Sequence, residues 1–229
     1  MRFIVVFSDK AKDRKLLKGW GVSIYFPDFY LLFDTGENPL YLQNNLKVLG
    51  ISLNDIKYVF LTHEHWDHIG GIELLKGEKR IVFVPEGFTE DTIEELNALR
   101  FDVRVIDKNQ KILPDVYSTG PLGDVVKEQS IIFSEKEGLN IFTGCAHPGF
   151  KDIFETASRY GTLFKFVSGG FHLLDADEGM IKDVQEIFNS YRVRKVGPFH
   201  CTGDEAMERF KEQFGDDFIL VKSGEMIKI

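Results

Sequence analysis

Short apolar runs recur along this chain, each closed by a turn and many followed by a helical repeat. MRFIVVF (1–7), VSIYF (22–26) and YLLF (30–33) predict strands, broken by the KGWG and PDF turns. PLYLQNNLKVL (39–49) predicts a helix closed by Gly50. KYVFL (57–61) and RIVFVP (80–85) predict strands, and IGGIELLK (69–76) between them predicts a helical segment. TEDTIEELNALR (89–100) predicts a helix with Thr89 as N-cap and acidic residues in its first turn. FDVRVID (101–107) and the stretch 110–119 add strand material, and EQSIIFSEKEGLNIFTG (128–144) predicts a hairpin turning at EKEG.

The second half then repeats a strand–loop–helix rhythm. NIFTG leads through CAHPG into a helix at about 149–160. TLFKFVSGG leads through FHLLD into one at about 176–190. RKVGPF leads through HCTG into one at about 203–214, and FILV and EMIKI predict closing strands. There is no internal repeat and no Pro/Gly/Ser-rich linker, so the expectation is one α/β domain over 1–229.

Composition narrows the function classes. With 28 Lys+Arg against 36 Asp+Glu in 229 residues, the net charge of −8 disfavours a nucleic-acid partner, which would call for a basic stripe. The basic cluster KAKDRKLLKGW (10–20) reads first as a solvated loop face, with attraction of an anionic substrate as the sharper reading. No apolar run is long enough to span a membrane, and the N-terminus reads as a strand rather than a signal peptide. Two cysteines, Cys145 and Cys201, make no disulfide framework, so a cytoplasmic location is expected. Abundant Lys, Glu and Phe with scarce Cys and Met are compatible with a thermophile. Nothing in the chain sets the oligomeric state.

FLTHEHWDHIGG (60–71) carries three of the six histidines. All six (His63, His65, His68, His147, His172 and His200) follow a predicted strand and precede a predicted helix, the position where layered α/β proteins collect ligands. His63 and His65, two apart on extended chain, project to one side and can grip one metal. Asp67 and His68 lie where the chain turns into a helix, and can address a neighbouring metal. Imidazoles beside a carboxylate suit zinc first, with iron or manganese as alternatives. Two such sites need more ligands, which His147, His172 and His200 can supply. Glu64 should point away from its flanking histidines to the surface, and Trp66 should pack or wall a pocket. Cys145 and Cys201 read as small buried hydrophobes, or as metal-proximal thiols sensitive to oxidation. Gly70, Gly71, Gly144 and Gly149 would let backbone pass close to the metals.

HEHWDHIGG resembles the metal-binding signature of the metallo-β-lactamase superfamily, and Asp34-Thr35-Gly36 after YLLF resembles its first motif. NNLKVLGISLNDIKYVFLTHEHWDHIGG, EQS, FTGCAHPGF, GGFHL and HCTG resemble the subgroup containing the archaeal dihydropterin-type synthases and many proteins known only as metal-dependent hydrolases. The resemblance implies a four-layer αβ/βα sandwich, two mixed β-sheets flanked by helices. It implies His63, His65 and His147 on one divalent metal and Asp67, His68 and His200 on a second, with Asp34 supporting the metal loop from behind the ligands. It also suggests Ser23, Gln129 and Thr202 as pocket-lining residues. The superfamily usually adds an aspartate bridging both metals at the end of the strand that here reads FKFVSGG. Gly169, Gly170, Phe171 and His172 stand there instead, so either His172 takes the place of the bridge or the second site is weaker.

The expected chemistry is hydrolysis of an ester, thioester, lactone or phosphate bond in a small, possibly anionic substrate, by a water activated between two metals. Asp67 is the candidate to orient or deprotonate that water, and His172 is the candidate ligand or proton donor. The alternatives are transfer, in which diphosphate leaves a pterin, and a non-catalytic metal-binding relic.

Overall fold

The computed structural model describes residues 1–229. The strands, in chain order, are β1 (Arg2–Phe7), β2 (Ser23–Phe26), β3 (Leu31–Phe33), β4 (Tyr58–Phe60), β5 (Ile81–Pro85), β6 (Asp102–Ile106), β7 (Gln110–Leu113), β8 (Val116–Ser118), β9 (Ile131–Glu135), β10 (Gly138–Thr143), β11 (Phe164–Gly170), β12 (Lys195–Phe199) and β13 (Met226–Lys228). The α-helices are α1 (Pro39–Val48), α2 (Trp66–Ile69), α3 (Glu90–Ala98), α4 (Phe150–Ala157), α5 (Glu178–Ser190) and α6 (Asp204–Phe214). The chain divides into two compact units, one of residues 1–106 with 221–229 and one of residues 107–220.

The first unit holds a sheet in the order β13-β1-β2-β3-β4-β5-β6. Pairing is antiparallel from β13 to β3 and parallel from β3 to β6. The central strands are short and apolar because both their faces are covered. Leu31, Leu32 and Phe33 are all fully buried. Leu32, Val59 and Val82 join Leu42 and Leu46 of α1 and Leu96 of α3 in one core. Phe33 and Phe60 stack on each other with ring centroids 5.7 Å apart. The caps predicted at Thr89 and Gly50 hold: Thr89 Oγ1 accepts from Thr92 N at the start of α3, and Gly50 takes a φ of 69° after α1. Asn38, not singled out in the sequence, caps α1 by accepting from Leu40 N.

The second unit holds a sheet in the order β12-β11-β10-β9-β8-β7. β10, β11 and β12 run parallel, and β10 to β7 form an antiparallel meander. The parallel strands need crossover helices, which α4 and α5 supply. Phe150 and Phe154 of α4, Phe188 of α5 and Phe210 of α6 meet around Phe171 in a cluster of edge-on and tilted rings 4.6 to 5.4 Å apart. Each fully buried ring contributes about 1.5–3 kcal/mol of apolar burial. Good ring pairs add roughly 0.5–1.5 kcal/mol. That cluster packs three helices against one another, each directly preceded by a loop carrying one of His147, His172 and His200.

Two local expectations change. IGGIELLK is not one helix: α2 ends at Ile69, and a 3-10 turn covers Ile72–Leu75. Gly71 at the junction passes against backbone, where a Cβ would lie 2.2 Å from the Thr35 carbonyl oxygen. FILV makes only an isolated bridge between Phe218 and Val196, leaving β13 as the closing strand. No helix is long and apolar enough to cross a membrane.

Candidate metal centre

In the first unit the site is built behind the histidines by one carboxylate. Asp34 sits just past β3 with a φ of 50° and is fully buried. Its Oδ1 accepts from Thr62 N at 2.8 Å, and its Oδ2 accepts from the Thr62 hydroxyl at 2.9 Å and from His68 Nδ1 at 2.7 Å. Thr62 Oγ1 also lies 2.9 Å from His63 Nδ1. A hydroxyl has one proton, and a carboxylate only accepts, so Thr62 donates to Asp34 and accepts from His63 Nδ1–H. Both His63 and His68 are thereby held with Nδ1 as donor and Nε2 turned away from Asp34, the tautomer a metal ligand needs.

Those Nε2 atoms face further donors. His63 Nε2 lies 3.1 Å from His65 Nδ1, and His68 Nε2 lies 3.4 Å from Asp67 Oδ2. Two ligand nitrogens on one tetrahedral zinc stand roughly 3.4 Å apart, given bond lengths of about 2.0–2.1 Å. The loop is pinned by backbone as well. Thr35 donates both N–H and hydroxyl to the His68 carbonyl, and Val22 N–H donates to the Asp67 carbonyl. In the metal-free protein, burial works against a charged His68. The Asp34 carboxylate outweighs it and holds the ring up at about 10.

Glu64 does not ligate. Its carboxylate accepts from Thr89 N at 2.6 Å and from the Thr89 and Thr92 hydroxyls at 2.5 Å, so it caps α3 and ties the histidine loop to that helix. Its expected exposure is therefore only partial. Trp66 is 60% exposed and forms one rim of a groove completed by Ile69, Ile72, Thr92 and Leu99, so it is a wall residue and not a packing one.

The second unit repeats the device with a residue the sequence reading passed over. Glu128, buried just before β9, collects the whole loop after β10. Its Oε1 accepts from the Thr143 hydroxyl at 2.8 Å and from Gly144 N, Cys145 N and Ala146 N at 2.9 to 3.0 Å. Its Oε2 accepts from His147 N at 3.0 Å and His147 Nδ1 at 2.7 Å. His147 is thus fixed in the same tautomer as His63 and His68. The EQS triplet was the available signal, but it drew attention to Gln129. Gln129, Ser23 and Thr202 are fully buried and do not line a pocket. Ser118 donates to Gln129 Oε1 at 2.6 Å, Ser23 donates to the Asp34 carbonyl at 2.9 Å, and Thr202 accepts from Phe171 N at 3.1 Å.

His172 and His200 close the loops after β11 and β12, both at positive φ (55° and 57°). Ala146 and Asp34 share that conformation at 59° and 50°, so four strained non-glycine residues stand at strand ends in or beside the histidine loops. His172 is exposed, and its ring lies 4.7 Å from that of His147. A hydrogen bond with Cys201 raises the His172 pKa against the opposing effect of burial. The Cys145 hydrogen bond, working against burial and joined by His172, draws the Cys201 thiol down to about 4. His200, Cys145 and Cys201 are all buried.

Comparison with known proteins bears on the family and the fold. A family model described as the metallo-beta-lactamase superfamily matches residues 20–149. The chain is 27% identical to a 7,8-dihydropterin-6-methyl-4-(beta-D-ribofuranosyl)-aminobenzene-5'-phosphate synthase of Methanocaldococcus jannaschii, over 86% of this chain and 84% of the relative. It is 31% identical to ribonuclease Z of the same organism, over 57% of this chain and 41% of the relative. A crystal structure described as a metal-dependent hydrolase of the beta-lactamase superfamily aligns at a TM-score of 0.87 and 27% identity, covering 100% of this chain and 99% of that one. The two mixed sheets with their helices, the match over the His63–His68 and His147 loops, and the end-to-end structural likeness establish that this chain belongs to the metallo-β-lactamase superfamily and has its fold.

Proposed function

We propose that this protein is a hydrolase dependent on two divalent metal ions, zinc for preference, acting on an ester, thioester, lactone or phosphate bond of a small anionic substrate. The observation that carries the reading is the tautomer control. His68 and His147 each donate Nδ1–H to a buried carboxylate, and His63 donates to a hydroxyl held by one. Imidazoles whose Nδ1–H is fixed in this way turn Nε2 outward for a metal and have no comparable use in a plain core.

In this reading His63, His65 and His147 hold one ion, and Asp67, His68 and His200 hold the other. When bound, the ions supply an acidified water near neutral pH and positive charge beside the attacked and leaving oxygens. Asp67, 3.4 Å from His68, would be placed to hold an ion and to take up a proton beside it. His172, exposed at the end of β11, would donate a proton to the leaving oxygen of a substrate. The lysines at 10, 12, 15 and 18 draw an anionic substrate in.

Hydrolysis is favoured by likeness over the full chain to a protein described as a metal-dependent hydrolase. A second reading, displacement of diphosphate from a pterin by another nucleophile, is supported by the similarity to the dihydropterin-type synthase. The test is metal content together with two assays, a panel of esters, lactones and phosphodiesters and a pterin diphosphate with an aryl amine. The proposal expects about two metals per chain and turnover on the first panel, both lost in His63→Ala and Asp67→Asn. Product only from the pterin mixture moves the chain to transfer, and a metal-free protein with neither activity makes it a relic.

A further inference from the structure

The end of β11 raises a question of space. An aspartate at position 170 has no room, because a Cβ there would lie 2.5 Å from Cys201 Sγ, 2.6 Å from the Gly144 carbonyl and 3.2 Å from His200 Cδ2. At position 169 it would lie 2.0 Å from the Thr143 carbonyl. Gly170 is therefore the complement of a sulfur atom: Cys201 occupies the volume that a side chain at that position would fill.

That sulfur is not isolated. Cys145 Sγ, Cys201 Sγ and a ring nitrogen of His200 all lie within 4.8 Å of one another, and all three residues are buried. On a tetrahedral ion with sulfur at about 2.3 Å and nitrogen at about 2.0–2.1 Å, such donors stand roughly 3.4–3.8 Å apart. Small side-chain adjustments close the difference. The backbone holds them in place from three sides. Cys145 N–H is fixed by Glu128, the Cys201 carbonyl accepts from Leu173 and Leu174 N–H, and Gly170 N–H donates to the Gly144 carbonyl. Buried cysteines that only fill space have no reason to converge on a histidine from two separate strand ends.

We infer that Cys145 and Cys201 are thiolate ligands that join His200 on a metal ion, taking the place of the carboxylate that β11 cannot present. His172 then serves as a hydrogen-bond partner of the Cys201 sulfur and not as a bridging ligand. Each thiol releases its proton to solvent as it ligates, since a coordinated thiol is deprotonated. Sulfur donors make this a site for zinc or iron and exclude magnesium and manganese as good fits. The inference rests on the proposed metal dependence and adds the donor atoms.

Cobalt(II) replacing the native metal under reductant tests it. The wild-type protein should show a near-ultraviolet sulfur-to-cobalt charge-transfer band. C145S and C201S should each lose about half of it, and the double variant all of it. Zinc X-ray absorption on the wild-type protein, which needs no variant to fold, should show sulfur scatterers at about 2.3 Å. Metal bound with only nitrogen and oxygen neighbours overturns the inference and leaves the proposed function standing. A wild-type protein that binds no metal overturns both.

Discussion

Replacing Glu128 by glutamine keeps the shape of the side chain and removes one acceptor and the charge. The retained oxygen can face Thr143, Gly144, Cys145 and Ala146, which turns the new NH2 towards His147 N–H and Nδ1–H. Two buried donors then meet a donor. A hydrogen bond to a charged group contributes about 1.5–3 kcal/mol, and relaxation of the His147 ring recovers part of one, so the expected cost is about 3–5 kcal/mol. Measured on metal-free protein, so that lost metal binding does not enter, the urea midpoint should fall by about 1–2 M for a slope near 2–3 kcal/mol/M. Metal affinity, read by competition with a chromophoric chelator, should fall about 10- to 100-fold, because the ligand tautomer is no longer enforced. A midpoint within about 0.3 M of the wild type, with unchanged affinity, would refute the claim that this carboxylate organises the loop.

Other perturbations separate the remaining roles. In the metal-free protein the raised His68 pKa gives stability that is complete below about 6.5 and is lost as pH rises through about 10. Asp34→Asn should flatten the stability profile across that window, and a variant that keeps the wild-type slope there contradicts the pairing. Glu64→Ala leaves the Thr89 cap in place but removes the carboxylate that binds Thr89 and Thr92 to the histidine loop, and should cost about 1–2 kcal/mol, lowering Tm by about 2–8 °C with metal content unchanged. Lost metal would instead make Glu64 a ligand. Gly170→Ala should destabilise by about 1–3 kcal/mol through the clash with Cys201 and weaken the cobalt–sulfur band, as spectroscopy and urea unfolding would report. Chelation should lower Tm, and restored metal at 100 times its Kd should return about 2.7 kcal/mol. A chelator-insensitive Tm argues against a metal bound to the native state.

The sequence by itself determined the order of strands and helices, because apolar periodicity and the caps at Gly50 and Thr89 are local signals. It also determined that each histidine stands between a strand and a helix, and that Asp34 belongs with the histidine loop, through the Asp-Thr-Gly and His-Glu-His-Trp-Asp-His motifs. Only the tertiary structure decided what holds those histidines. Glu128 reaches across to backbone N–H groups of a loop many residues on, and a backbone donor has no letter in the sequence. Glu64 reads as a surface acid until α3 arrives beneath it. Cys145 and Cys201 read as small buried hydrophobes or as metal-proximal thiols, and their convergence is visible only once β10 and β12 set their loops side by side at the end of β11. Local pattern encodes which element forms; which side chains converge depends on pairing between distant strands, set by long-range packing and satisfied hydrogen bonds.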